Sequence, residues 1–223
     1  MEVRSRKVSW WSAGLAVTLI ALGALAAGPP PGAPTDKDPT AYKGMTPAEI
    51  ARVKKGEIVI LNAPENVNGK QMITAAFIFN QPIDTVWTLM TSGWRQQEYL
   101  PRLQSSKKIR VWEGHDIIEM HVSIIGIDIS YQVLGDRDKS KYRSSWKLNP
   151  EYDNDMKQVT GFFQFYYVDD THTLARYGTW VEVGTFIPAA VQEYMTKRDL
   201  PTALAAQKKW VDSNGTYRKP PGT

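Results

Sequence analysis

The 223-residue chain has no cysteine and only three histidines. Without cysteine there is no disulfide framework and no lipoprotein-type acyl anchor. His115 and His172 fall in turn stretches and His121 on a strand face expected to be polar. No His, Asp and Glu set converges, and neither an HExxH nor a Cys/His ligand spacing occurs. Also missing are the G-x-S-x-G elbow, the G-x-G-x-x-G fingerprint and a phosphate loop. Asp153, Asp155, Asp169 and Asp170 sit in turns, where carboxylates bond the local backbone, and they lack the ordered spacing of a calcium loop. No catalytic residue, metal ligand or cofactor site is assigned.

A large charge of either sign is lacking as well. Residues 1–27 carry Arg4, Arg6 and Lys7 against Glu2, a net of +2, which is half of the chain's +4. The other basic clusters, Lys107 and Lys108 with Arg110, and Lys208 with Lys209, are small and scattered. Nucleic-acid binders gather such charge into a patch or stripe, so nucleic acid is not an expected partner.

What is present starts with an uncharged run, Val8 to Ala27, behind the basic residues and closed by Ala24, Ala26 and Ala27. Basic, apolar and small residues in that order are export chemistry. Two outcomes remain open. Cleavage after Ala26 or Ala27 leaves a periplasmic protein, whereas retention anchors it to the inner membrane, because the run approaches the roughly 20 residues that span a bilayer. Residues 28–45 are rich in Pro and Gly and read as an extended spacer. One domain is expected over 46–213, with 214–223 as a flexible tail.

Within the domain, Thr46 and Glu49 carry a capping-box pattern for a helix over about 47–55, ended by Gly56. A strand over 57–61 and a turn at 66–69 follow. Ile73 to Phe79 reads as a buried strand that stops at Asn80 and Gln81. Pro82 opens a helix whose Ile83, Val86, Trp87 and Met90 form one stripe, with Asp84 in the first turn. Ser92 and Gly93 break it, and Trp94 to Tyr99 makes a short second helix before Pro101. Six strands then run in series: 106–113, 116–125, 127–134, 142–148, 160–168 and 174–183. Alternation assigns Ile109, Val111, Ile118, Met120, Val122, Ile129, Tyr131, Val133, Tyr142, Trp146, Phe163, Phe165, Tyr177 and Val181 to the inner face. Lys108, Arg110, Glu119, Gln132, Arg143 and Lys147 fall on the solvent face. After Phe186, Ile187 and Pro188 the chain turns helical, with Val191, Tyr194, Met195, Leu200, Leu204 and Val211 apolar and Pro201 expected to kink or divide the helix.

The expected fold class is α+β: a curved seven-stranded antiparallel sheet wrapped around a long C-terminal helix, with two short helices after the first strand. Ala75 to Phe79 with Gln81-Pro82-Ile83-Asp84-Thr85-Val86-Trp87, then Tyr99-Leu100-Pro101, Gly161-Phe162-Phe163, Thr173-Leu174-Ala175-Arg176-Tyr177 and Ile187-Pro188 recur at a telling spacing. In that set, covering roughly residues 46–212, the chain resembles the START-like, polyketide-cyclase-like SRPBCC (helix-grip) superfamily. Gly56-Glu57-Ile58-Val59 looks like the leader of its exported bacterial members. The resemblance implies a cavity for one hydrophobic small molecule or lipid. Some members are cyclases, and no catalytic residue carries across.

Eight tryptophans and ten tyrosines supply apolar walls with polar tips for such a cavity. The ligand-binding residues expected are Trp94, Met120, Tyr131, Trp146, Phe163, Phe165, Tyr177 and Tyr194. Arg95 and Arg176 face either solvent or an acidic headgroup. Three functions stay open: an exported carrier of a sterol-like, hopanoid-like or acyl lipid or another hydrophobic molecule, a cyclase using pocket tyrosines as proton donors, and a membrane-tethered, ligand-free interaction domain. Export weighs against the second, since carrier-bound polyketide intermediates are cytoplasmic. A monomer with possible membrane contact is expected.

Overall fold

A computed structural model describes residues 28–61, 65–67, 70–184, 188–194 and 198–222. The expected export segment 1–27, Asn68 and Gly69 of the expected turn, and Phe186, Ile187 and Met195 lie outside the described residues. Helix α1 (Pro47–Lys54) starts on a complete capping box. The Thr46 N–H donates to Glu49 Oε2 at 2.8 Å, and the Glu49 N–H donates back to Thr46 Oγ1 at 3.2 Å. Gly56, with φ +87°, ends the turn in a conformation that costs glycine little. Strands β1 (Val59–Ile60), β2 (Glu65–Val67) and β3 (Lys70–Phe79) follow. Helix α2 (Ile83–Met90) comes next, with Pro82 as its N-cap, and a 3₁₀ turn spans Gly93–Glu98. The six-strand series is β4 (Leu103–Trp112), β5 (His115–Ile124), β6 (Ile127–Asp138), β7 (Arg143–Leu148), β8 (Met156–Asp169) and β9 (His172–Val183). It ends in α3 (Ala189–Tyr194) and α4 (Leu200–Asp212).

The strands form one antiparallel sheet in the order β1-β3-β9-β8-β7-β6-β5-β4, with β2 paired to β3 off that path. The first long strand therefore lies beside the last, Ala75 opposite Tyr177. The sheet has eight strands along its path rather than seven, because Val59 pairs with Ala76. Burial of Val59 under α1 supplies the reason. The C-terminal helical stretch comprises two elements, α3 and α4, and Pro201 sits in the first turn of the second, where a missing N–H costs nothing.

Helix α4 crosses the concave face and is fastened at its C-terminal end. Trp210 is fully buried, its ring stacked on Tyr99 with centroids 4.3 Å apart. Two residues to either side of it, Asp212 Oδ1 accepts the Asn80 N–H at 2.8 Å, and Lys208 Nζ donates to the Ile78 carbonyl at 2.6 Å. The strand-to-helix junction at 78–81 is thus clamped to the last turn of α4. The chain beyond is no frayed tail: the Lys219 N–H donates to the Glu98 carbonyl at 3.0 Å, and Gly215 packs against Leu89 and Trp210.

The outer face departs from expectation at both ends of the sheet. Residues 28–45 are not a spacer. The Tyr167 N–H donates to the Pro34 carbonyl at 2.8 Å, and Ala41 is buried in a second cluster with Val53, Val59, Leu61, Ala76, Tyr166 and Leu174. Arg176 faces neither solvent nor a headgroup; it is buried, and its Nη1 donates to the carbonyls of Thr40, Ala41 and Lys43 at 3.0–3.3 Å. Arg95 is held by Glu98 and lies over the Trp210 ring. Near the other edge, Ile109 and Val111 are exposed, not internal. The β4–β5 register shifts between Lys108 and Arg110, so the pleat changes parity there. Gln132, assigned to the solvent face, is buried and bonded to Asn149 and Glu119.

If Trp210 is the peg that seats α4, Trp210→Ala costs about 3–5 kcal/mol. The check is the urea midpoint at unchanged slope. A loss below about 1 kcal/mol would place the anchoring elsewhere.

Candidate functional site

Between α4 and the concave face lies a cavity of about 190 Å³. Its floor is built around Trp146 on β7, which pairs with Gly135 on β6 and Gly161 on β8. Both glycines are there for space. A Cβ on Gly161 would lie 2.3 Å from Trp146 Cζ2, and one on Gly135 would lie 2.0 Å from Asp116 Oδ1. The indole fills the first gap and the Asp116–Arg137 pair the second. Phe163 and Tyr177 continue the wall, with ring centroids 4.9 Å apart and both within about 6 Å of Trp146. Leu200, Ala203, Leu204 and Gln207, one stripe at i, i+3, i+4 and i+7, form the roof. Met90, Gly93 and Leu100 close the side.

Five of the eight expected residues meet here: Met120, Tyr131, Trp146, Phe163 and Tyr177. Phe165 shares their face but stops short of the cavity. It is fully buried, stacked on Phe163 with centroids 5.5 Å apart, and the end of the sheet it occupies is filled by Phe79 and Trp87. Trp94 is also outside the lining; its ring packs beneath Lys108 Nζ at 3.7 Å, and Gly93 takes the position next to the cavity. Tyr194 is tied to Arg102, whose Nη2 donates to its hydroxyl at 2.6 Å.

The polar groups of the lining were not expected. Arg137 is missed because residues 135–141 read as a turn, whereas β6 continues to Asp138. Its Nη2 donates to both oxygens of Asp116 at 2.9 and 3.1 Å, and its Nη1 to Ser144 Oγ at 2.8 Å and the Ser145 carbonyl. Burial pushes the Asp116 carboxyl up, and the neighbouring guanidinium opposes that shift. Gln207 continues the Leu200–Leu204 stripe, a signal that was available in the helical spacing. Its Oε1 is buried without a hydrogen-bond partner, as is Arg137 Nε. An orphaned buried acceptor costs about 1–3 kcal/mol. Burial pushes the phenols of Tyr131 and Tyr177 up to about 12, so both keep their protons at neutral pH. Among the described residues no three His, Asp or Glu side chains converge on a metal position.

The arrangement can hold an apolar body against aromatic walls and offer it a few fixed polar groups, the general form of a small-molecule site. Its buried ion pair sets a test. Arg137→Met leaves the buried Asp116 carboxyl without its partner, at a cost of about 3–5 kcal/mol. Adding Asp116→Asn is expected to recover part of that loss in urea unfolding. Losses that simply add would contradict the coupling.

No family model and no curated protein matches the chain. Solved structures do. A STAR-related lipid transfer protein from Xanthomonas axonopodis is similar at TM-score 0.56 and 11% identity, over 70% of this chain and 98% of that one. An aromatase/cyclase from Streptomyces sp. R1128 is similar at TM-score 0.54 and 13% identity, over 64% and 93%. A START superfamily protein from Mycobacterium smegmatis is similar at TM-score 0.53 and 12% identity, over 64% and 97%. With the sheet order and α4 in the places expected, the chain has the helix-grip fold of these structures.

Proposed function

We propose that this protein binds one hydrophobic small molecule in the cavity beneath α4, and that it does so outside the cytoplasm. The observation that carries the reading is the cavity itself: a gap beneath α4 walled by Met120, Trp146, Phe163, Tyr177 and Leu204, where a protein interior ordinarily leaves few voids larger than a water molecule. Burial of apolar surface, at about 25 cal/mol per Å², supplies affinity without any reactive group. The lipid-transfer neighbour supports a carrier. The basic, apolar and small-residue order of residues 1–27 supports export, and with it a place in the periplasm or on the inner membrane.

Size narrows the guest. The cavity holds about 190 Å³, less than the roughly 300–1,000 Å³ of drug-sized pockets. It is slightly larger than an engineered apolar cavity of about 150 Å³ that accepts benzene. A ring-sized molecule fits the cavity as it stands. A sterol or acyl lipid requires α4 to swing from the sheet around its anchored end.

A cyclase would need a proton donor among the pocket tyrosines, and Tyr131 and Tyr177 are held as weak acids by burial. They serve better as hydrogen-bond donors to a guest than as sources of protons. A ligand-free interaction domain would have no use for the gap.

Native mass spectrometry of gently purified protein, with organic extraction of the same sample, is expected to find one apolar guest per chain. Ala203→Phe, which points an aromatic ring from α4 into the cavity, is expected to abolish that guest and to block toluene binding while leaving thermal stability equal or higher. A chain that arrives empty and also refuses toluene, or an Ala203→Phe variant that keeps its guest, would contradict the reading.

A further inference from the structure

Within that cavity, Gln207 is out of keeping with a purely apolar container. It lies on the roof stripe of α4 between Leu204 and Val211, is only 8% exposed, and lines the gap. Its Oε1 has no hydrogen-bond partner. Leucine or methionine would fill the same position without stranding a carbonyl, so packing alone gives no reason for an amide here.

The amide adjoins the anchor of α4. Burial pushes the Tyr99 phenol up, with Gln207 beside it acting in the opposite sense, and the Tyr99 ring is stacked on Trp210. Turning an amide over exchanges its donor and acceptor ends.

The charge in the lining is already used. Arg137 is paired to Asp116 and bonded to Ser144 and the Ser145 carbonyl, so its charge is already matched and only its buried Nε–H lacks a partner. A guest that suits this lining is uncharged.

We propose that the guest is a compact, neutral, ring-sized compound bearing a hydroxyl group, a phenol or cyclic alcohol, whose hydroxyl bonds the Gln207 amide while its ring lies against Trp146, Phe163 and Tyr177. A hydroxyl both donates and accepts, and so meets whichever end of the amide faces the cavity. The inference rests on the cavity being a binding site, and the experiment separates the two.

The test compares 4-ethylphenol with 4-ethyltoluene, near-equal in size and different at one position, by tryptophan fluorescence titration and thermal shift on the full chain. Wild type is expected to bind the phenol about tenfold more tightly, the scale of one hydrogen bond to a buried acceptor. Gln207→Met is expected to bind both probes alike, at the affinity wild type has for the hydrocarbon. Equal affinities in wild type, or a phenol preference that survives in Gln207→Met, would overturn the assignment and leave the cavity reading intact. The wild-type comparison decides even if the variant fails to fold. Binding of neither probe would overturn both.

Discussion

A straight helix cannot follow a curved sheet along its whole length, and the position of its anchor decides where the two part. Here α4 is fastened at its C-terminal turn. Trp210 is driven into the core against Tyr99, and Asp212 and Lys208 seize the backbone where β3 gives way to α2. Close to that anchor the space is solid, packed by Phe77, Phe79, Val86 and Phe165. Farther along the helix, over Trp146 and Tyr177, it is not. The cavity is a consequence of curvature and anchoring together.

The second constraint is that a sheet this strongly bent has two faces to cover. The inner face is met by α2 and α4. The outer face near β3, β8 and β9 is met by α1 and by residues 33–45, which bury Ala41, Tyr166 and Leu174. Arg176 holds that cover in place through three carbonyls, an arrangement that satisfies a buried charge with backbone dipoles. Rigid backing on the outside leaves the inner wall with defined rotamers, which a selective pocket requires.

Local signals were the legible ones. The capping box at Thr46, the strand–Pro–helix junction at 73–90 and the turn-bounded strand series all depend on neighbours within a few residues, and all are present. Period-two alternation located Met120, Tyr131, Trp146, Phe163 and Tyr177 on the cavity wall. It could not say where the wall ends, because Phe165 is excluded by Phe79 and Trp87, whose contact with it depends on tertiary packing. A bulge has no strong composition signature, so the parity change at Ile109 was hidden. The tertiary roles of residues 28–45 and of the C-terminal tail were hidden as well: Pro, Gly and charge describe a chain with little local preference, not one without long-range partners. Gln207 and Arg137 were missed for a different reason. Polar residues inside an apolar site break the pattern by which such sites are found, and it is these residues that separate one guest from another.

The central claim is physical and local: a ring-sized void lies between Trp146, Phe163 and Leu204, and it is open to a small apolar guest. Crystallography under xenon pressure tests it most directly, because xenon binds such voids without needing any specific contact. The account predicts a well-occupied xenon site against those three side chains. No xenon there, with the space taken up by repacked side chains or ordered water, would contradict it.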